Sequence, residues 1–96
     1  MHINKERIAQ FCRRWKVAEL SLFGSVLREN FSPNSDIDVL VSFEPDIPWS
    51  LFDWLDMKEE LSRILGREVD LVETSGLRNP FRRQEILNNR EIIYAT

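Results

Sequence analysis

The sequence predicts an α/β domain in which helices pack against one small β-sheet. Helical and strand-like apolar periodicities alternate along the chain in the order α-β-α-β-α-β-α-β. Proline, glycine and loop-rich segments separate these periodic stretches. Because 96 residues without a visible repeat or linker suffice for one hydrophobic core, we expect residues 1–96 to form a single domain.

The first helix is predicted over residues 5–15, with Asn4 as its N-cap. Its apolar residues recur at helical spacing and should face the core: Ile8, Phe11, Cys12 and Trp15. The position of Cys12 on that face favours a buried packing residue over a nucleophile. A short strand over residues 19–23 follows and ends at Gly24.

The second strand is predicted over residues 36–43, after a helical turn at 26–29 and a loop at 30–35. Successive residues of a strand project from opposite faces of the sheet. We therefore expect Ile37, Val39, Val41 and Phe43 on one face and Asp36, Asp38 and Leu40 on the opposite face. Pro45 and Pro48 then end the strand.

A longer helix is predicted from Ser50, as its cap, to residue 65, and Gly66 closes it. We expect its core-facing residues to be Leu51, Trp54, Leu55, Leu61 and Leu65. A third strand follows over residues 68–73. Asn79-Pro80 indicates an N-cap and first-turn proline of a helix that ends near residue 88, and residues 91–95 are predicted as an edge strand.

Composition narrows the class of protein. The formal charge of −3 argues against a general nucleic-acid binder, which usually has an excess of basic residues. No apolar run approaches the ~20 residues that span a bilayer, so we expect no membrane association. One cysteine excludes an internal disulfide and fits a reducing compartment, and the expected location is the cytoplasm.

Two surface features have more than one interpretation. The acidic residues between Asp53 and Glu60 fit a solvated helix face or a docking surface for a charged partner. The aromatic residues Trp49, Phe52 and Trp54 fit a wrapped core or an exposed patch for a protein partner.

Three aspartates on two strands form the candidate catalytic and metal-binding set. Asp36 and Asp38 are two residues apart, so their side chains should project from the same face and repel each other unless a cation lies between them. Asp70 lies on the face opposite Val69 and Leu71, and it joins the pair if the second and third strands are neighbours. Carboxylates are ligands that Mg²⁺ or Mn²⁺ prefers, and three could hold two ions. Taken singly, Asp36 could cap the strand and Asp38 could be a solvated residue.

The segment after the first strand supplies candidate phosphate-binding residues. Gly24-Ser25 joins a strand to a helical turn, where backbone N–H groups can bind phosphate and Gly24 permits close approach. Arg28 could donate to a phosphate oxygen, although an arginine on an exposed turn is common. Ser35 could cap the loop or contact the metal site.

These residues resemble a known family. Gly24-Ser25, ten residues, then Asp36-Ile37-Asp38 is similar to the GS-x10-D-x-D motif of the DNA polymerase β-like nucleotidyltransferases. The surrounding LFGSVLRENFSPNSDIDVLV is particularly similar to the minimal nucleotidyltransferases (MNT proteins), and the resemblance covers residues 20–72. It implies the mixed-sheet core of that superfamily, an aspartate triad that binds Mg²⁺, and ATP as substrate. The family often has a basic pair after Gly-Ser, whereas this chain has only Arg28 nearby.

The resemblance also implies a biological role. Many MNT proteins are antitoxins encoded beside a HEPN-domain ribonuclease toxin, and some transfer AMP to a tyrosine hydroxyl of that toxin. We therefore expect AMP transfer from ATP to a HEPN partner, which must supply the acceptor because the chain shows no second lobe. Two alternatives are an antitoxin that acts by binding alone and a small-molecule nucleotidyltransferase, which normally has a further domain.

Overall fold

A computed structural model describes residues 3–24 and 36–96. The helices and strands in these residues are α1 (Lys5–Arg14), β1 (Val17–Phe23), β2 (Ile37–Phe43), α2 (Leu51–Leu65), β3 (Val69–Glu73), α3 (Pro80–Asn88) and β4 (Glu91–Ala95). A short 3₁₀ helix, Thr74–Gly76, joins β3 to α3. The predicted order of these elements is confirmed, and the predicted turn at 26–29 and loop at 30–35 lie outside the described residues.

The four strands form one mixed sheet in the order β3-β2-β1-β4. β1 pairs with both β2 and β4 in antiparallel fashion, whereas β2 and β3 are parallel. The predicted class is confirmed, as is the placement of the last strand at an edge.

Local capping signals set most of the helix boundaries. The Asn4 side chain accepts a hydrogen bond from the Arg7 N–H at 3.1 Å, which caps α1 as predicted. Ser50 and Asp53 form a reciprocal capping box at the start of α2, and Gly66 ends that helix at φ +73°. Helix α1 ends one residue before the predicted position, because Lys16 adopts φ +56° and the strand already begins at Val17.

The main hydrophobic core lies between the sheet and helices α1 and α2. Its largest fully buried side chains include Ile8, Leu20, Leu22, Ile37, Met57 and Leu61. Glu60 accepts a 2.6 Å hydrogen bond from the Trp15 indole N–H, which ties α2 to the end of α1. Trp49 packs edge-on against Trp15 with ring centroids 5.2 Å apart and therefore belongs to the edge of this core.

The predicted core-facing residues of α2 are partly wrong. Leu61 and Leu65 are buried and Trp54 is half-buried against Phe43, but Leu51 is 71% exposed and Leu55 is 52% exposed. The helix turns Met57 inward with Leu61 and Leu65, which rotates Leu51 and Leu55 towards solvent. Phe52 is also exposed.

A smaller apolar cluster lies on the other face of the sheet, beneath α3. It consists of Phe23, Leu40 and Ile86, with Val72, Leu77 and Leu87 at its edge. This confirms that Leu40 points away from Val39 and Val41. Within the described ranges, no helix is long and apolar enough to cross a membrane.

Candidate active site

Asp38 and Asp70 lie opposite each other on neighbouring strands. They are direct partners in the parallel pairing of β2 with β3, which is the adjacency on which the prediction for Asp70 depended. Adjacent strands are about 4.8 Å apart, so side chains that project from the same face at these two positions can share a ligand. Val69 and Leu71 are buried on the opposite face, which leaves Asp70 exposed on the face that carries Asp38.

Asp36 is exposed and stands one residue before the first residue of β2. Two residues of extended chain span roughly 6.6 Å, and alternation places Asp36 on the same side as Asp38. The buried residue between them, Ile37, pairs with Val69 and donates its N–H to the Glu68 carbonyl at 2.9 Å. This pairing fixes the start of β2 against β3, so all three aspartates lie at one end of the sheet.

Gly24 lies directly against Asp38. It follows Phe23, which is the antiparallel partner of Asp38 across β1 and β2. Gly24 adopts φ +73°, a left-handed conformation that favours glycine, and a Cβ atom there would collide with the Asp38 carboxylate. The glycine therefore makes room for the half-buried Asp38 side chain, a contact that the sequence did not reveal.

The chemical type of the Asp36, Asp38 and Asp70 side chains suits a divalent cation, but the distances between them do not form a metal site. Carboxylate oxygens are the ligands that Mg²⁺ prefers, and Gly24 leaves room for the carboxylate of Asp38. In residues 3–24 and 36–96, however, no three His, Cys, Asp or Glu side chains come close enough together to hold a metal ion. Asp36, Asp38 and Asp70 thus share one sheet end without converging on one point.

Three of the predicted nucleotide-binding residues fall outside the described part of the chain. These residues are Ser25, Arg28 and Ser35. Gly24 is the one member of the predicted phosphate-binding segment that the structure places, and it lies beside the aspartates.

Cys12 is fully buried on α1, as predicted. Burial raises the pKa of its thiol from 9.0 to about 12, with a smaller opposing effect from Arg13. A neutral, inaccessible thiol is a poor nucleophile, so the chemistry of this chain does not pass through Cys12.

The sequence did not predict a cleft at the opposite end of β2 and β3. It has a volume of about 830 Å³ and lies where Phe43, Glu73 and the first turn of α2 meet. The prolines after β2 predicted a break in the chain. No periodicity in the sequence indicated that residues 42–54, residues 73–75 and Arg83 would line one cavity.

Comparison with known proteins agrees with this fold. Residues 5–93 match the family model described as "Nucleotidyltransferase domain". The protein adenylyltransferase MntA of Thermococcus cleftensis is 38% identical over 82 residues, which cover 85% of this chain and 78% of that relative.

Two solved structures share the fold. The crystal structure of a toxin–antitoxin with AMP-PNP matches with a TM-score of 0.74 at 23% identity, over 98% of this chain and 75% of that one. The tri-AMPylated HEPN toxin of Shewanella oneidensis in complex with its MNT antitoxin matches with a TM-score of 0.65 at 20% identity, over 96% of this chain and 70% of that one.

The chain belongs to the nucleotidyltransferase domain family. Within that family it is a minimal nucleotidyltransferase and therefore an enzyme of the nucleotide-transferring class.

Proposed function

We propose that this chain is the antitoxin of a toxin–antitoxin pair and that it transfers AMP from ATP to a tyrosine hydroxyl of a HEPN-domain toxin in the cytoplasm. The main support is the pairing of Asp38 with Asp70 in register, with Asp36 two residues away and Gly24 against Asp38. The MntA relative is named a protein adenylyltransferase, and a fold neighbour contains an AMPylated HEPN toxin with its MNT antitoxin.

In this proposal Asp36, Asp38 and Asp70 hold Mg²⁺, two ions being the number that three carboxylates can accommodate. Bound Mg²⁺ would neutralise charge on the triphosphate and favour ionisation of the attacking hydroxyl. The backbone at Gly24-Ser25 would orient the phosphates, with Arg28 and Ser35 as further contacts. Gly24 has the additional task of leaving space for the Asp38 carboxylate.

The reaction forms one bond and breaks one bond. The acceptor hydroxyl oxygen attacks the α-phosphorus of ATP, the bond between that phosphorus and the α,β-bridging oxygen breaks, and pyrophosphate leaves. The proton of the hydroxyl passes to the Asp70 carboxylate, which is exposed and can release it to water. The product is an AMP phosphodiester on the partner.

A second function is an antitoxin that neutralises its partner by binding alone. The observation that favours it is the absence, among the described side chains, of a converged group of three metal ligands. The presence of all three aspartates on one sheet end favours catalysis instead.

The test is transfer of label from ATP to the purified HEPN-domain toxin. The toxin is incubated with Mg²⁺ and ATP labelled with ³²P at the α-phosphate, because γ-labelled ATP would report phosphorylation instead of AMP transfer. The chain is supplied as wild type, as Asp36→Ala/Asp38→Ala, or as the control Glu85→Gln, which removes one exposed charge on α3. We expect labelled toxin with wild type and the control, and at least ~100-fold less with the double variant.

Each other outcome has a distinct meaning. A stable complex without label from wild type would favour the occluding antitoxin. Equal label from wild type and the double variant would show that the aspartates are not the catalytic residues. Loss of label on replacing tyrosines of the toxin by phenylalanine would identify the acceptor.

A further inference from the structure

The cleft at the far end of the sheet has aromatic walls. Phe43 and Trp54 meet edge to face with ring centroids 6.3 Å apart, and Trp49 lines the same cavity. Trp49 is held in place by its indole N–H, which donates to the Trp15 carbonyl at 3.0 Å. The cleft therefore presents aromatic surfaces, one of them anchored by a hydrogen bond, at a concave site.

An exposed apolar surface continues from this cleft along α2. Leu51 lines the cleft and is 71% exposed, and Phe52 and Leu55 follow it on the outer side of the helix. We call Leu51, Phe52 and Leu55 the α2 stripe. Contiguous exposed apolar side chains mark interaction sites, whereas single exposed apolar side chains are common on any protein surface.

The rim of the cleft is acidic. Glu44, Asp46 and Glu73 are all exposed there, against a single arginine, Arg83. The ion pairs of the described residues join Arg14 with Glu60, Arg63 with Glu59 and Arg90 with Glu19, and these three pairs include none of the rim carboxylates. An acidic rim repels a nucleoside triphosphate and attracts a cationic group.

We infer that the cleft and the α2 stripe together are the docking surface for the HEPN toxin, and that they receive a toxin segment in which an arginine or lysine stands beside apolar side chains. The cation lies against the aromatic walls and the acidic rim, and the apolar side chains cover the α2 stripe. Charge complementarity assigns the occupant, because the rim has an excess of two carboxylates over basic groups.

The position of this surface is compatible with transfer at the other end of the sheet. Glu73 lies three positions after Asp70 on β3 and Phe43 lies five positions after Asp38 on β2, which amounts to roughly 10 to 16 Å along the strands. A toxin held at the cleft can therefore present a hydroxyl to the aspartates without occupying their site.

This inference rests on the proposed identity of the partner but not on catalysis, so the test measures binding. Dissociation constants for the HEPN-domain toxin are measured by calorimetry without ATP, at low and at high salt. The rim variant is Glu44→Gln/Asp46→Asn, in which asparagine suits the φ of +63° at residue 46. Its matched control is Glu6→Gln/Glu85→Gln, which removes the same charge from exposed positions on α1 and α3.

We expect the rim variant to bind ~5–20-fold more weakly than the control and to lose most of the salt dependence. Phe52→Ser, at a side chain 79% exposed, should weaken binding ~10-fold or more without a change in melting temperature. Equal affinities for all variants, or no complex with the wild-type chain, would overturn the inference. A self-association of the chain that these variants abolish would also overturn it, because the occupant would then be a second copy.

The transfer assay separates the two proposals. Label on the toxin with unchanged binding of the variants would contradict the docking surface alone. Cleft-dependent binding without label would contradict catalysis alone.

Discussion

Replacing Gly24 by alanine tests whether the glycine exists to accommodate the Asp38 carboxylate. An added Cβ would lie 3.1 Å from Cγ and 3.4 Å from Cβ of Asp38, and it would collide with a carboxylate oxygen. Asp38 must then turn aside, because the obstructing atom belongs to a short side chain whose backbone is fixed by β1 and β3. A shift of about 1 Å at a catalytic group can reduce a rate by ~100-fold.

The chain offers a matched control for the backbone part of this effect. Gly66 has the same φ of +73°, but a Cβ there would meet no atom within 4 Å. Both alanine variants should therefore lose about 1–2 kcal/mol of folding stability from the left-handed conformation. Only Gly24→Ala should disturb Asp38, so the difference between the two variants isolates the collision.

The assay compares AMP transfer and metal binding in the two variants. Urea unfolding gives the stability loss, single-turnover labelling of the toxin gives the rate, and Mn²⁺ binding by electron paramagnetic resonance reports the carboxylates without requiring a partner. We expect similar stabilities, and ~100-fold slower transfer with weaker Mn²⁺ binding in Gly24→Ala alone. Equal rates and equal Mn²⁺ affinities in the two variants would refute this account of Gly24.

Further predictions concern the core and its edges. Leu61→Ala should lower the free energy of unfolding in urea by about 2–5 kcal/mol, because Leu61 is fully buried, whereas Leu55→Ala should lower it by less than about 0.5 kcal/mol. Similar losses for the two variants would mean that α2 presents a different face to the core. Ser50→Ala removes one half of the capping box and should lower the free energy of unfolding by about 1 kcal/mol, and no change would contradict the cap. Burial raises the pKa of the Cys12 thiol to about 12, so the native chain should not react with a disulfide reagent at pH 8. The stability that this burial contributes is fully present below pH 9 and is lost as the pH rises through about 12. A reaction of the thiol at pH 8 that is faster than global unfolding would contradict the burial of Cys12.

Much of the fold could be predicted because its signals are local. The cap residues Asn4, Ser50 and Asn79 each mark a helix start that the structure confirms. The alternation in β2 correctly separated Val39 from Leu40, because successive strand residues must face opposite sides of a sheet.

The rotation of α2 could not be predicted in the same way. Its first two turns are apolar on more than one side, so periodicity alone allowed Leu51 and Leu55 to face the core. Burial of Met57 with Leu61 and Leu65 decided the matter, and that choice depends on contacts with the sheet.

The candidate site shows the same division. Sequence spacing placed Asp36 and Asp38 on one face, but the register of β2 against β3 was needed to bring Asp70 opposite Asp38. The contact between Gly24 and Asp38 depends on the pairing of β1 with β2 and on the positive φ of Gly24, and the sequence motif predicts neither. The metal-binding role of the three aspartates stays a prediction.

The separation of the aspartates from the docking surface makes a last prediction possible. The two sets lie roughly 10 to 16 Å apart along β2 and β3, and perturbations at more than ~7–10 Å without shared partners are usually additive. A variant that combines Asp36→Ala/Asp38→Ala with Glu44→Gln/Asp46→Asn should therefore bind the toxin as the rim variant does and transfer AMP as the aspartate variant does. Binding measured by calorimetry and transfer measured at saturating toxin test this directly. If the aspartate changes alone weaken binding of the toxin as much as the rim changes do, the toxin must contact the aspartates in its ground state, and docking and catalysis would form one site.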